Sequence, residues 1–390
     1  PPRSVGEGWG GGQDQMRPSC QVRSSIGVEP RAMSAVSTRA QGSASVEETP
    51  ETGDYARIVS AAMSSGSAGH FATSLRPSDR LAERFEVVRA LGSGAMGEVY
   101  EALDLELGAR VALKVLRPEI TEDPEQLRRF RREVHLARQV THPNVCRLFD
   151  LFHAASPQAA REDDSADLAA PSDLVFITLE LVDGESLSER IARAGPLPDD
   201  ELHAVLSQVA AGLDAAHRAQ IVHRDFKSAN VLLASAAAET GSPRAVVTDF
   251  GLARSAEVVL TADPAESTLT STGSILGSPA YMAPEQVRGE QVTAASDVYA
   301  FGIVAFEAAT GRLPFAGGTA FQIALRRLSE DPPCPSSLAP SLDPRWDRAI
   351  LACLAREPED RPASASAAIA LANAPADAEV QAKAKAHEER

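Results

Sequence analysis

Cysteine, long apolar runs and positive charge are all scarce in this chain, and each scarcity removes a class of protein. The four cysteines, at 20, 146, 334 and 353, show no metal-ligand spacing and no disulfide framework. That usage fits a reducing compartment and points to a cytoplasmic protein. Fifty-four acidic against 38 basic residues give a formal net charge of −16. A surface of that sign does not suit non-specific nucleic-acid binding, which wants a basic face. The most apolar run, 298–306, is stopped by Glu307 and is far too short to span a bilayer, so no membrane segment is expected. No basic stretch followed by an apolar core opens the chain, so no signal peptide is read there. No repeat period appears either. The first residue is Pro rather than Met, which reads as a fragment or an over-extended translation.

Residues 1–80 are rich in Gly, Ser, Ala and Pro, with few large apolar side chains and no sustained period. Such a segment buries too little surface to offset its ordering entropy and is expected to be disordered. Two Ala/Ser/Pro-rich insertions, near 154–173 and 234–243, read as loops, and 376–390 is a charged tail.

What is present concentrates in two places. Residues 223–230 read His-Arg-Asp-Phe-Lys-Ser-Ala-Asn, and Asp249-Phe250-Gly251 begins nineteen positions after Asn230. The pair puts a candidate base, a Lys and two oxygen ligands on neighbouring loops. Phosphoryl transfer needs those parts together, because its catalysis is mostly positioning and charge stabilisation. Upstream, Leu91-Gly-Ser-Gly-Ala-Met-Gly-Glu-Val99 fills every fixed position of G-x-G-x-x-G-x-V. Glycines let a backbone approach phosphate oxygens without a Cβ. The rival is a dinucleotide-binding turn, which lies between a strand and a helix. Here the glycines continue into Glu-Val-Tyr-Glu-Ala and then Val111-Ala-Leu-Lys114, which reads as strand, turn, strand. Lys114 among apolar neighbours needs a partner if buried. Residues 125–138 carry apolar side chains at 127, 130, 134, 136 and 137, roughly helical spacing, with Glu133 among them. Arg128, Arg129, Arg131 and Arg132 on the same segment read as a solvated helix face, with phosphate binding as the alternative.

In order and spacing these motifs, closing with Ala283-Pro284-Glu285, match the protein-kinase signatures. The chain resembles a eukaryotic-like (Hanks-type) bacterial serine/threonine protein kinase over about 81–375, roughly three quarters of its length. The resemblance implies an α+β bilobal fold, with a small β-rich lobe at about 81–182 and a mainly helical lobe at about 183–375. It implies ATP-dependent phosphorylation of protein Ser/Thr hydroxyls. Asp225 would act as base, Lys227 would stabilise the transferred phosphoryl and Lys114 would hold the α- and β-phosphates. Glu133 would pair with Lys114, with Glu125 a poor second. Asn230 and Asp249 would bind Mg²⁺, for which Mn²⁺ can substitute. Leu91, Gly92, Gly94 and Gly97 would cover the nucleotide, and Val99, Ala112 and Leu232 would sandwich adenine. Leu179 would be the gatekeeper, and Glu180, Leu181 and Val182 would present backbone groups to the ring.

Further expectations follow from the same resemblance. His223 is a packed core residue, Arg224 a regulatory charge partner, and Phe250 packs beneath the metal site. Thr270 and Thr272 are the favoured sites of activating autophosphorylation, with self-association to achieve it, and Ser278 offers its hydroxyl to Asp225 and Lys227. Asp297 caps the catalytic-loop backbone or the start of its own helix. Arg361 pairs with Glu285. Two other readings compete. A pseudokinase scaffold would have lost Lys114, Asp225, Asn230 or Asp249, and all four are present. A small-molecule kinase would lack the long segment ending in Ala-Pro-Glu.

Overall fold

Alternation along residues 85–116 builds the first half of the structure. In the computed structural model, which describes residues 75–94, 97–157, 173–235, 243–250 and 279–374, these residues form three antiparallel strands. They are β2 (Phe85–Gly94), β3 (Gly97–Asp104) and β4 (Ala109–Leu116), preceded by the two-residue β1 (Arg80–Leu81). β5 (Leu148–Ala155) and β6 (Asp173–Glu180) complete a six-stranded sheet in the order β1-β2-β3-β4-β6-β5. Successive side chains on a strand face opposite ways, and β4 is buried on both faces. Val111, Leu113 and Val115 join Phe85, Tyr100 and Phe176 on one side. Ala112 and Leu116 join Phe130 and Val134 of a helix on the other. Lys114 shares the parity of Ala112 and Leu116, so the helix side of the sheet receives its ammonium.

That helix is α2 (Pro124–Ala137), which follows the single turn α1 (Pro118–Thr121). Asp123 caps it, accepting from the Glu125 amide at 2.8 Å and the Gln126 amide at 3.2 Å. Phe130 and Val134 are buried as the spacing requires, but Leu136, expected on the apolar stripe, is 36 % exposed. Arg128, Arg129, Arg131 and Arg132 are all exposed.

The second half is mainly helical: α3 (Leu187–Ala194), α4 (Asp199–Arg218), α5 (Pro284–Val287), α6 (Ala294–Thr310), α7 (Ala320–Ser329), α8 (Pro335–Leu338), α9 (Arg345–Cys353) and α10 (Ala365–Asn373). A helix that is apolar all round belongs inside a protein, and α6 is buried at nearly every position. Gly302 lets it approach α9, since a Cβ there would stand 2.6 Å from Cys353 Cβ. A small antiparallel sheet of β7 (Gly184–Ser186), β8 (Val231–Ala234) and β9 (Arg244–Val247) packs beside these helices. All described residues belong to one unit of the chain, Thr52–Arg390. The architecture is the expected α+β pairing of a sheet-rich small lobe with a helical large lobe. The N-terminal stretch through 74, the bodies of both insertions, the C-terminal tail and 251–278, with Gly251, Thr270, Thr272 and Ser278, lie outside the described residues.

Candidate active site

The site is assembled by the β8–β9 pair. Val231 lies opposite Val247, so the residues just outside the ladder, Asn230 and Thr248, become neighbours. The Thr248 amide donates to Asn230 O at 2.9 Å, and Asp249 follows directly. The candidate metal ligands, nineteen positions apart in sequence, are thus held side by side by two strand ends. Asn230 is fixed from the other direction, because its Nδ2 donates to Asp225 O at 2.9 Å.

The loop carrying Asp225 hangs on one buried carboxylate. Asp297 on α6 is 1 % exposed; its Oδ2 accepts from the His223 amide at 2.7 Å and its Oδ1 from the Arg224 amide at 2.9 Å. His217 Nε2 lies 2.6 Å from the same carboxylate. Of the two roles expected for Asp297, the structure shows the loop cap; the start of α6 is capped by Thr293. Arg224 and Asp249 sit at φ 70° and 63°, a region non-glycine residues occupy only when their surroundings insist. His223 is fully buried, its ring 4.8 Å from that of Phe250, as a packed core residue should be.

Lys227 Nζ donates to Asp225 Oδ2 at 2.8 Å. On the far side of the cleft, Lys114 Nζ donates to Asp249 Oδ1 at 2.8 Å. This corrects one expectation: the ammonium of Lys114 takes Asp249, whereas Glu133 lies 3.8 Å from Arg224 Nη1. Which of two nearby carboxylates a buried ammonium takes depends on the distance between α2 and the β9 end, and no sequence pattern encodes it. Burial pushes the Asp249 carboxyl up, but the charge and hydrogen bond of Lys114, with help from the neighbouring His223 and Lys227, together hold the group below its ordinary value.

Some of the residues expected to face the nucleotide cluster on the helix side of the six-stranded sheet. Register pairs Val99 with Lys114, Glu101 with Ala112, and Ala112 with Leu179. Val99 and Leu181 pack partly buried against the cluster that contains Ala112 and Leu179. Leu232 is half-buried between Val231 and Leu233, which enter the large-lobe core, and so takes the opposite face of β8. Leu91 is 40 % exposed on β2. Gly92 and Gly94 pair with Val99 and Gly97 across a hairpin, not at the head of a helix, which excludes the dinucleotide turn. A Cβ on Gly97 would stand 1.8 Å from Val115 O, so packing against β4 demands that glycine. A Cβ on Gly92 or Gly94 would meet nothing within 4 Å, so the fold itself does not require those two. Their bareness fits a backbone that approaches a ligand. At the hinge the Glu180 amide already donates to Arg147 O at 2.8 Å, so Glu180 cannot offer its N–H to an adenine edge.

Several relationships gave no sequence signal. Tyr281 donates to Glu307 at 2.7 Å and lies 3.0 Å from Ser228 Oγ, one residue past Lys227. Gln286 Nε2 holds Arg224 O at 2.9 Å. Glu285, by contrast, pairs with Arg361 as expected, at 2.7 and 2.8 Å.

Comparison with known proteins agrees with this geometry. Residues 85–371 match the family model described as the protein kinase domain. The chain belongs to the protein kinase family. It is 37 % identical over 282 residues to serine/threonine-protein kinase PrkC of Bacillus subtilis, covering 72 % of this chain and 39 % of that protein. It is 34 % identical to serine/threonine-protein kinase PknA of Mycobacterium tuberculosis, covering 72 % of this chain and 58 % of the relative. With serine/threonine-protein kinase pkn3 of Myxococcus xanthus it shares 35 % identity, over 73 % of this chain and 48 % of the relative. The chain thus spans between about two fifths and three fifths of these relatives' lengths. Among solved structures, the kinase domain of M. tuberculosis PknI superposes with a TM-score of 0.56 at 28 % identity, covering 77 % of this chain and 98 % of that one.

Proposed function

We propose that the chain is a serine/threonine protein kinase that moves the γ-phosphoryl of ATP to protein Ser/Thr hydroxyls. The observation that carries this reading is the junction of the Asp225–Lys227 pair with Asn230 and Asp249 at the β8–β9 end. Asp225 orients the acceptor hydroxyl and takes its proton, and Lys227 faces the negative charge of the transferred group. Lys114 and the bare hairpin of Gly92 and Gly94 hold the phosphates, with Gly97 keeping the hairpin against β4. Val99, Ala112 and Leu232 flank the base, and Leu181 and Val182 supply its backbone contacts. Glu133 faces Arg224 of the loop that carries Asp225, 3.8 Å away.

An Asp carboxylate and an Asn amide are hard oxygen donors that suit Mg²⁺ or Mn²⁺. Among the described residues no cluster of three His, Cys, Asp or Glu side chains forms a cage. Two protein ligands plus nucleotide phosphates is the way Mg²⁺ is usually held. When bound, the ion would neutralise charge on the phosphates. We read the reaction as cytoplasmic, where ATP is supplied. Among the described residues no helix is long and apolar enough to cross a membrane.

Regulation is read on 251–278. A phosphate on Thr270 or Thr272 would add about two negative charges and strong acceptors, with Arg224 as its partner. Transfer of label between molecules would make self-association part of activation. Purified chain with Mg²⁺ and labelled ATP, beside Asp225→Asn, tests the reading. Label on the wild type alone, mapped to Ser or Thr, is expected; label on Asp225→Asn at the wild-type rate would remove Asp225 from the role of base.

A further inference from the structure

Two arginines of the large lobe are buried to a similar depth and are treated very differently. Arg361 has a complete set of acceptors: Glu285 with both oxygens, and the carbonyls of Ala295, Ala355 and Arg356. Arg327 on α7 is 1 % exposed and has one, since its Nη1 donates to Pro279 O. Among the described residues, its Nε and Nη2 are buried with no acceptor. The Phe315 ring lies 5.9 Å from the guanidinium carbon, and no carboxylate among the described residues forms an ion pair with it. Burial lowers its pKa to about 10, which still leaves it charged near neutral pH. A buried, uncompensated charge is among the costlier features a fold can carry.

The unsatisfied groups are also the informative ones. Nε–H and one Nη2–H lie parallel along one edge of the guanidinium, the fork that takes both oxygens of a carboxylate or phosphate. The location matters equally. Pro279 opens the turn that leads to Tyr281, whose hydroxyl lies 3.0 Å from Ser228 Oγ. Ser228 adjoins Lys227, which holds Asp225. Through the Pro279–Tyr281 turn, Arg327 is thus linked to the loop that carries Asp225.

We propose that Arg327 reads an anion on the substrate: its Nε/Nη2 edge takes a carboxylate or phosphate on a residue flanking the acceptor Ser/Thr. The anion enters between α7 and the Pro279–Tyr281 turn and supplies the counter-charge that the described fold does not. The inference rests on the kinase reading above and adds a substrate class to it: peptides with an acidic or already phosphorylated neighbour.

Acceptor peptides carrying Asn, Asp or phosphoserine at each position from three before to three after the acceptor provide the test. The readout is the ratio of kcat/KM for anionic over neutral peptide, taken within each variant, so a general loss of activity cancels. For the wild type a ratio of about ten is expected at one flanking position, the size of a charge-assisted hydrogen bond. In Arg327→Met the ratio falls to about one. Arg327→Lys keeps the charge without the fork, so its ratio lies between the two and covers the case in which Arg327→Met does not fold. A ratio raised by phosphoserine alone identifies phosphate as the anion, and one raised by Asp as well identifies any carboxylate. Neutral peptides phosphorylated with a ratio near one at every position in the wild type, or an equal ratio in Arg327→Met or Arg327→Lys, overturns the proposal. No transfer to any peptide overturns the kinase reading itself and this inference with it.

Discussion

Glu285→Gln isolates one ion pair and asks how much of the large lobe depends on it. The side chains of Arg361 and Glu285 are 0 % and 2 % exposed, and the pair is bidentate. The substitution keeps the shape and removes the charge, leaving the guanidinium with three backbone carbonyls, Ser296 with a weaker acceptor, and no anion. Breaking a buried pair from one side costs about 3–5 kcal/mol. The remaining carbonyls argue for the lower half of that range. At roughly 2–4 °C per kcal/mol for a domain of this order of size, the melting temperature falls by about 6–16 °C.

A denaturant titration of the whole chain measures the change directly, and Glu285→Gln/Arg361→Met closes the cycle. Because a buried pair can be exchanged for apolar groups at little cost, the double variant should regain part of the loss. A single-variant cost under about 1 kcal/mol, or a double variant equal to the sum of the two singles, would refute the argument. A pH series adds an independent check. Burial pushes the Glu285 carboxyl up, but the hydrogen bonds from Arg361 and Ser296 outweigh it, so its folded pKa lies below its ordinary 4.5. The stability this gives is complete above about pH 4.5 and is lost as pH falls through the folded value. Glu285→Gln should therefore respond less steeply to acid than the wild type.

Other substitutions test the site. Asp297→Ala leaves the His223 and Arg224 amides without their acceptor, at about 1–3 kcal/mol each, and releases Arg224 from its left-handed conformation; denaturation and phosphoryl transfer should both suffer, and an unaffected midpoint would count against the cap. Gly97→Ala should destabilise the small lobe, because its Cβ falls on Val115 O, whereas Gly92→Ala should leave the midpoint nearly unchanged and raise KM for ATP; equal effects on both readouts would remove the distinction. Asp225→Asn should lower turnover by about 10²–10⁴ while nucleotide binding persists.

The polar parts of the active site were legible in the sequence to different depths. Spacing singled out Asp225, Lys227, Asn230 and Asp249, and the structure brings these four together at the β8–β9 end. The β2–β3 hairpin was legible because the apolar pattern continued as a strand on both sides of the glycines. The roles of Gly92 and Gly94 on one hand and Gly97 on the other were not separable, since a motif does not say which glycine faces a ligand and which faces a neighbouring strand. Tyr281–Glu307–Ser228 and Arg327 were invisible for a related reason. They join segments 26 to 53 residues apart, and nothing local marks a Tyr, Glu or Arg that will be buried.

The ion pairs of the cleft show where such legibility ends and what decides the matter. Two cations, Lys114 and Arg224, and two carboxylates, Asp249 and Glu133, meet around the candidate site. The structure shows Lys114 with Asp249 at 2.8 Å and Arg224 with Glu133 at 3.8 Å. Family resemblance implies Lys114 with Glu133, which would leave Asp249 to a metal. Both arrangements balance charge, so composition cannot choose between them; only the position of α2 relative to β4 can. If the second arrangement is the working one, Glu133→Gln should cut turnover by at least about tenfold, because Lys114 then lacks its partner at the moment of transfer. Lys114→Met should cut it by orders of magnitude whichever arrangement holds. Turnover of Glu133→Gln within twofold of wild type would mean that Lys114 works from Asp249, as seen here, and that Glu133 serves the catalytic loop through Arg224 instead.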